Sequence, residues 1–157
     1  FFACEMPQQK VFVNINEVIT DAIALLDPTF KKHKISYKLN FSNPTIYLRI
    51  DTIQLTQVMF NLVLNAIYFS PPKSIITIDV TNNENGVKLS IADEGDGIKH
   101  NISDKIFNPF FTTKPVGDGA GLGLSVVHGI IKSHNGTIKH MPNKPKGTIF
   151  IINFPNL

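Results

Sequence analysis

Five neutral polar residues, Gln54, Gln57, Asn61, Asn65 and Tyr68, recur at three- and four-residue spacing through an otherwise apolar stretch. At 100° per residue they fall within an arc of roughly 80° on one side of a helix. Leu55, Val58, Met59, Phe60, Leu62, Val63, Leu64, Ala66 and Ile67 fill the remainder, and no charged residue occurs between Thr52 and Pro72. A solvated stripe would carry Lys or Glu. Asparagine amides on a largely buried helix need partners, because an unpaired one costs about 1–3 kcal/mol. The pattern predicts that something polar lies over the stripe.

Three further segments could do chemistry. Asp93-x-Gly95-x-Gly97 follows directly on Leu89-Ser90-Ile91-Ala92, which reads as a strand. A carboxylate at a strand end can accept from an exocyclic amine, and the glycines let a ligand approach the backbone; a tight turn fits the same residues. Gly117-x-Gly119-x-Gly121-x-Gly123 leads into an apolar helix opened by Leu122, Leu124, Val126 and Val127. Free N–H groups at a helix start, combined with a glycine backbone, can wrap an anion, whereas a flexible linker would not lead straight into such a helix. Between the glycine runs lies Phe107-Asn108-Pro109-Phe110-Phe111-Thr112-Thr113-Lys114, whose phenylalanines read either as core plugs or as a lid that docks on closure. The runs match neither the P-loop nor the dinucleotide fingerprint, and the Asp-Phe-Gly of protein kinases is absent.

Periodicity supplies the elements that must hold these groups. Phe1 to Val13 reads as a lead-in with a short apolar Val11-Phe12-Val13. Asn14 with Glu17 forms an N-cap pair, after which Val18, Ala22, Leu25 and Leu26 recur at helical spacing to about Lys32. Ile35 to Phe41 alternates as a strand, Thr45 to Arg49 is a second, and Asp51 with Gln54 caps the amide-striped helix, which Pro71-Pro72 stops. Ile75 to Thr81 and Val87 to Ala92 read as a hairpin. Asp93 to Gly119 reads as a loop with a short helix near Ser103 to Phe107. A helix over Leu122 to Ser133 ends at Asn135-Gly136 as a left-handed cap, and Thr137 to His140 with Thr148 to Phe154 closes the chain as a strand pair. The order predicts an α+β fold: three helices on one face of a mixed, largely antiparallel sheet.

Composition narrows the class. At 157 residues the chain can bury a core as one domain, and a 43% apolar, 17% charged make-up is that of a globular protein. The net charge of +3 is scattered, and its one tight knot, Lys31-Lys32-His33-Lys34, reads as a solvated helix end rather than a nucleic-acid patch. A single cysteine, Cys4, excludes an intrachain disulfide and suits a reducing cytosol. No apolar run reaches 18 residues, so no membrane contact is expected of the chain, although a parent protein anchored in the inner membrane remains compatible.

Taken in order, the four segments resemble the boxes of the catalytic ATP-binding domain of two-component sensor histidine kinases. The N box corresponds to Gln57 to Phe69, the G1 box to Asp93 to Ile98, the F box to Phe107 to Lys114 and the G2 box to Gly119 to Ser125. Gly147-Thr148-x-Phe150 looks like the family's last strand. The wider superfamily includes DNA gyrase, MutL and the heat-shock chaperone ATPases, so the resemblance implies a two-layer α/β sandwich of the Bergerat type.

The resemblance also implies roles. Asp93 would accept the adenine amine, helped by Thr148 and a water, while Gly95 and Gly97 admit the base and Ile98 closes the G1 box. Asn65 would ligate Mg2+, and Asn61 would help hold metal and phosphates; ATP-hydrolysing relatives carry a Glu there, and an amide cannot activate water. The backbone of Gly119, Ala120, Gly121, Leu122, Gly123 and Leu124 would wrap the phosphates, and Thr113 with Lys114 would sit in the lid. Where the family often has Lys or Arg, this chain has Tyr68. His33, His100, His128, His134 and His140 lie in contexts unlike the family's acceptor site and read as surface or capping histidines. The implied organisation is therefore a lead-in over 1–13 from a dimerisation and phosphoacceptor hairpin outside this chain, then a catalytic domain over 14–157. The implied activity is γ-phosphoryl transfer from ATP to a His on that separate domain, with a response regulator receiver domain as the next partner. An anti-sigma-type Ser/Thr kinase on the same fold, or a nucleotide-binding module without phosphotransfer, are the alternatives.

Overall fold

A computed structural model describes residues 8–95 and 122–156. Within them the elements run β1 (Lys10–Asn14), α1 (Ile15–Lys32), β2 (Ser36–Phe41), β3 (Tyr47–Asp51), α2 (Thr52–Phe69), β4 (Ile75–Asn83), β5 (Gly86–Ala92), α3 (Leu122–Ser133), β6 (Thr137–Pro142) and β7 (Thr148–Pro155). The expected short helix near Ser103 and the F box fall outside the described residues.

The larger sheet has the order β2-β4-β5-β7-β6. Its β2 and β4 run parallel, and the remaining pairs are antiparallel. Alternation puts Ile76, Ile78 and Val80 of β4, Leu89 and Ile91 of β5, and Phe150, Ile152 and Phe154 of β7 on one buried face. The helices cover that face. α2 packs against both α1 and α3 and supplies the middle of the core with Leu55, Val58, Met59, Leu62 and Val63, each essentially inaccessible. α1 buries Ile15, Ile19, Ala22, Ile23, Leu26 and Phe30, a stripe at helical spacing.

One element is an addition to the sequence reading. Residues 10 to 13, expected as part of a lead-in, form β1 together with the cap residue Asn14 and pair antiparallel with β3, Phe12 standing opposite Arg49. Three consecutive apolar residues carry no period-two signal, and the partner strand lies far along the chain, so only the fold reveals the pairing. The α1 cap also differs from a full capping box. Asn14 Oδ1 accepts from the N–H of Asn16 at 3.2 Å and also from Ile46 at 3.0 Å, so the same side chain caps the helix and ties it to the approach to β3. At the start of α2 the expected Asp51 cap is present, accepting from the N–H groups of Ile53 and Gln54 at 3.0 and 3.1 Å. Asn135, at φ 61°, takes the left-handed turn after α3 that the sequence predicts.

Candidate functional site

The amide stripe of α2 is where the chain's polar chemistry converges. Gln54 is buried, and its Oε1 accepts from Gln8 Nε2 at 2.8 Å. Half a helix further on, Asn61 Nδ2 makes a long contact of 3.4 Å to the carbonyl of Gly123 in the first turn of α3. A Cβ built on Gly123 would stand 3.9 Å from the Asn61 carboxamide, so the two helices meet across a glycine there. Asn65, one turn beyond Asn61, is half-buried. Tyr68 closes the stripe, 36% exposed, with its ring edge-on to Phe69 at 5.0 Å.

The C-terminus of α2 meets the other glycine segment. A Cβ on Gly95 would lie 2.5 Å from the carbonyl oxygen of Phe69, so only glycine lets the residues after β5 run this close to the helix end. Asp93, just past β5, is buried. Its Oδ1 accepts from the N–H of Gly95 at 2.9 Å and of Thr148 at 3.1 Å. Its other carboxylate oxygen has no hydrogen-bond partner among the described residues. Burial pushes the Asp93 pKa up, against the two N–H donors that pull it down. A buried carboxylate with one oxygen committed to main-chain donors and one left over is built to accept from a ligand N–H.

Of the residues singled out in the sequence, the structure joins Asp93 with Gly95 and Thr148 at one end of α2, and Asn61 with Gly123 further along it. Leu122 opens α3, and Leu124 is half-buried against the core. Gly97, Ile98, Thr113, Lys114, Gly119, Ala120 and Gly121 lie outside the described residues. Thr148 is buried and meets Asp93 through its main-chain N–H.

Two residues around this site carry weight that the sequence reading did not give them. Asn143 Nδ2 donates to the carbonyl of Asp93 at 2.8 Å. Its type, in a turn rich in Asn, Pro, Lys and Gly, looks like ordinary loop composition, and the signal appears only once β6 and β7 are paired. His134, read as a surface or capping histidine, is a buried cap: only 4% exposed, with Nδ1 against the carbonyl of Ile130 at 2.8 Å.

The family profile described as "Histidine kinase-, DNA gyrase B-, and HSP90-like ATPase" matches residues 50–157. Sporulation kinase A of Bacillus subtilis (strain 168) is 37% identical over 153 residues, which is 95% of this chain and 25% of that protein. Sensor histidine kinase ZraS of Escherichia coli (strain K12) is 35% identical over 143 residues, 91% of this chain and 30% of that protein. The chain thus spans between a quarter and a third of the length of these relatives. Among solved structures, the nucleotide-free catalytic domain of histidine kinase ThkA superposes with a TM-score of 0.87 at 32% identity, covering 95% of this chain and 97% of that one. ThkA in complex with the response regulator TrrA superposes with a TM-score of 0.81 at 30% identity, covering 94% of this chain and 42% of that one. No helix among the described residues is long and apolar enough to cross a membrane. With its helices laid on one face of a mixed sheet, Asn61 of the amide stripe meeting Gly123 and the end of α2 meeting Gly95, the chain belongs to the histidine kinase-, gyrase- and HSP90-like ATPases, as an ATP-binding catalytic domain of the histidine kinase type.

Proposed function

We propose that this domain binds Mg-ATP between α2 and α3 and donates its γ-phosphoryl group to a histidine on a dimerisation and phosphoacceptor domain of the same parent protein, for onward transfer to a response regulator receiver domain. The observation that carries the site assignment is Asp93, buried, locked through Oδ1 by Gly95 and Thr148, with its second oxygen unpartnered among the described residues.

In this reading that second oxygen accepts from the adenine amine, while the Gly95 N–H holds Oδ1 in place. Asn61 and Asn65 face the phosphates from α2. Asn65 would offer an amide oxygen to the dication, and Asn61, one turn earlier on the same stripe, would help hold it. Among the described residues no three His, Cys, Asp or Glu side chains converge, so such a cation would draw most of its ligands from phosphate and water, as Mg2+ does in phosphotransferases. When bound, Mg2+ neutralises charge on the transferred and departing phosphates. By the family resemblance, the Gly119 to Leu124 backbone would wrap those phosphates, and Thr113 with Lys114 would belong to the same site. Asn61 holds without activating: a carboxamide has no basic lone pair with which to deprotonate water, so the site keeps ATP intact until an acceptor arrives. Transfer then forms a nitrogen–phosphorus bond at the acceptor imidazole as the bond to the ADP oxygen breaks, the imidazole proton leaving to a base on the acceptor domain. The complex of ThkA with TrrA supports the receiver-domain partner.

The test is incubation of the chain with γ-labelled ATP, alone and with the acceptor domain of its own parent. Alone it should remain unlabelled; with the acceptor, that domain should gain acid-labile label, slowly because the tether is missing. Acid-stable label on a serine of a partner would replace this reading with the anti-sigma-type kinase, and nucleotide binding with no transfer to any acceptor would reduce the domain to a binding module.

A further inference from the structure

Asp93 stands one residue beyond the last ladder pair of β5 and β7, Ala92 with Ile149. Its N–H still donates to the carbonyl of Thr148 at 2.9 Å. In an antiparallel pair of this kind the opposite residue returns the bond, N–H to carbonyl. Here Thr148 does not. Its N–H goes instead to the Asp93 side chain, at 3.1 Å to Oδ1. The main-chain carbonyl of Asp93 is thereby left without its ladder donor in a buried setting, where an unpaired carbonyl is costly.

Asn143 takes that place. Its Nδ2 donates to the Asp93 carbonyl at 2.8 Å. The orientation of its amide is determined on the other side, since Oδ1 accepts from the N–H of Lys144 at 2.9 Å, and its own N–H donates to the carbonyl of Gly147 at 3.0 Å. Gly147 has φ 113°, and a Cβ on it would stand 2.0 Å from the same Asp93 carbonyl oxygen. The whole β6–β7 turn is therefore folded down onto one peptide group.

We infer that Asn143 is a positioning residue for nucleobase recognition: by occupying the main-chain carbonyl of Asp93 it releases the Thr148 N–H to the carboxylate, which fixes Oδ1 and presents the remaining oxygen to the exocyclic amine of the base. The inference rests on the reading of Asp93 given above. Without the Asn143 amide, the Asp93 carbonyl competes for the Thr148 N–H, and the carboxylate loses one of the two bonds that aim it.

A positioning role acting through one carboxylate has a signature that general loosening of a turn lacks. It weakens only ligands that use that carboxylate. Binding of Mg-ATP and of Mg-purine riboside triphosphate, which lacks the 6-amino group, is measured by titration calorimetry on wild type, Asn143→Ala, Asp93→Asn and the double variant. Wild type should prefer ATP by about tenfold or more. Asn143→Ala should cut that preference by about fivefold while holding purine riboside triphosphate within about twofold, and should add nothing to Asp93→Asn. If Asn143→Ala fails to fold, Asn143→Ser keeps turn chemistry without the reach of the amide and serves the same comparison. Equal weakening of both nucleotides, or an unchanged preference, overturns the role of Asn143. A wild type that binds the two nucleotides equally instead overturns the assignment of Asp93, and this inference with it.

Discussion

The main-chain N–H of Asp51 donates to Nε2 of His134 across 3.2 Å, joining the residue that caps α2 to the residue that follows α3. The imidazole spans the gap, since its Nδ1 faces the carbonyl of Ile130 at 2.8 Å, which requires the proton on Nδ1 and a bare Nε2. Around it, β1 contributes Lys10, whose Nζ donates to the carbonyl of Ser133 at 2.8 Å, β3 contributes the Asp51 carboxylate, and β7 contributes the uncharged ring of Phe154. The helices on either side of the candidate site are thus tied at the end remote from Asp93.

This tie should be sensitive to acid. Burial chiefly holds the His134 pKa below its ordinary value of 6.5, aided by Lys10 and opposed by the Ile130 carbonyl and Asp51. A depressed pKa means that the unfolded chain takes up the proton first, so the contribution of His134 is full above pH 6.5 and is lost as pH falls through the folded-state value. Asp51 acts in a lower window: burial would raise its pKa, but the N–H groups of Gln9, Gln54 and Ile53 together hold it below 3.8. Chemical denaturation from pH 7.5 to 5 should show stability declining over the His134 window. His134→Ala should lower stability at pH 7.5 by about 2 kcal/mol and flatten that decline; an equally steep decline in the variant would assign it to other groups.

Asp93 should be a residue that function retains at the expense of stability. Its pKa is raised by burial, so protonation favours the folded state: its contribution is greatest below the unfolded value of 3.8 and is lost as pH rises through the folded value. Asp93→Asn keeps an acceptor for Gly95 and Thr148 but removes the buried charge and turns a donor toward the base. The midpoint of thermal unfolding at pH 7 should hold or rise while ATP affinity falls by about thirtyfold, equivalent to about 2 kcal/mol. A fall in both would make Asp93 a structural residue.

Asn65 should report on the dication alone. It is half-buried on the amide stripe, one turn beyond Asn61. Asn65→Ala should leave stability within about 0.5 kcal/mol and reduce affinity for ATP in Mg2+ about tenfold, to the level the wild type shows in EDTA. A variant whose affinity still rises on adding Mg2+ as much as wild type would remove Asn65 from the metal site.

The sequence alone determined the secondary structure around the site, because the period of apolar residues is a local property. The stripe of Gln54, Gln57, Asn61, Asn65 and Tyr68 marks one face of α2, Asp51 starts that helix, and Asn135 ends the turn after α3. The family too was legible, through Asp93, its glycines and their order along the chain. Only the tertiary structure decided what those residues meet. That β1 exists depends on β3 finding it, since Val11-Phe12-Val13 has no periodicity of its own. That His134 is buried, and that Asn143 holds the Asp93 carbonyl, follow from bringing together residues far apart in sequence. His and Asn near helix ends and in turns are usually solvated, so their types carry no signal of burial. Asp93 illustrates the division: the residue type permits an acceptor at a strand end, but its aim is set by Thr148 and Gly95, and by a turn that only the pairing of β6 with β7 brings within reach.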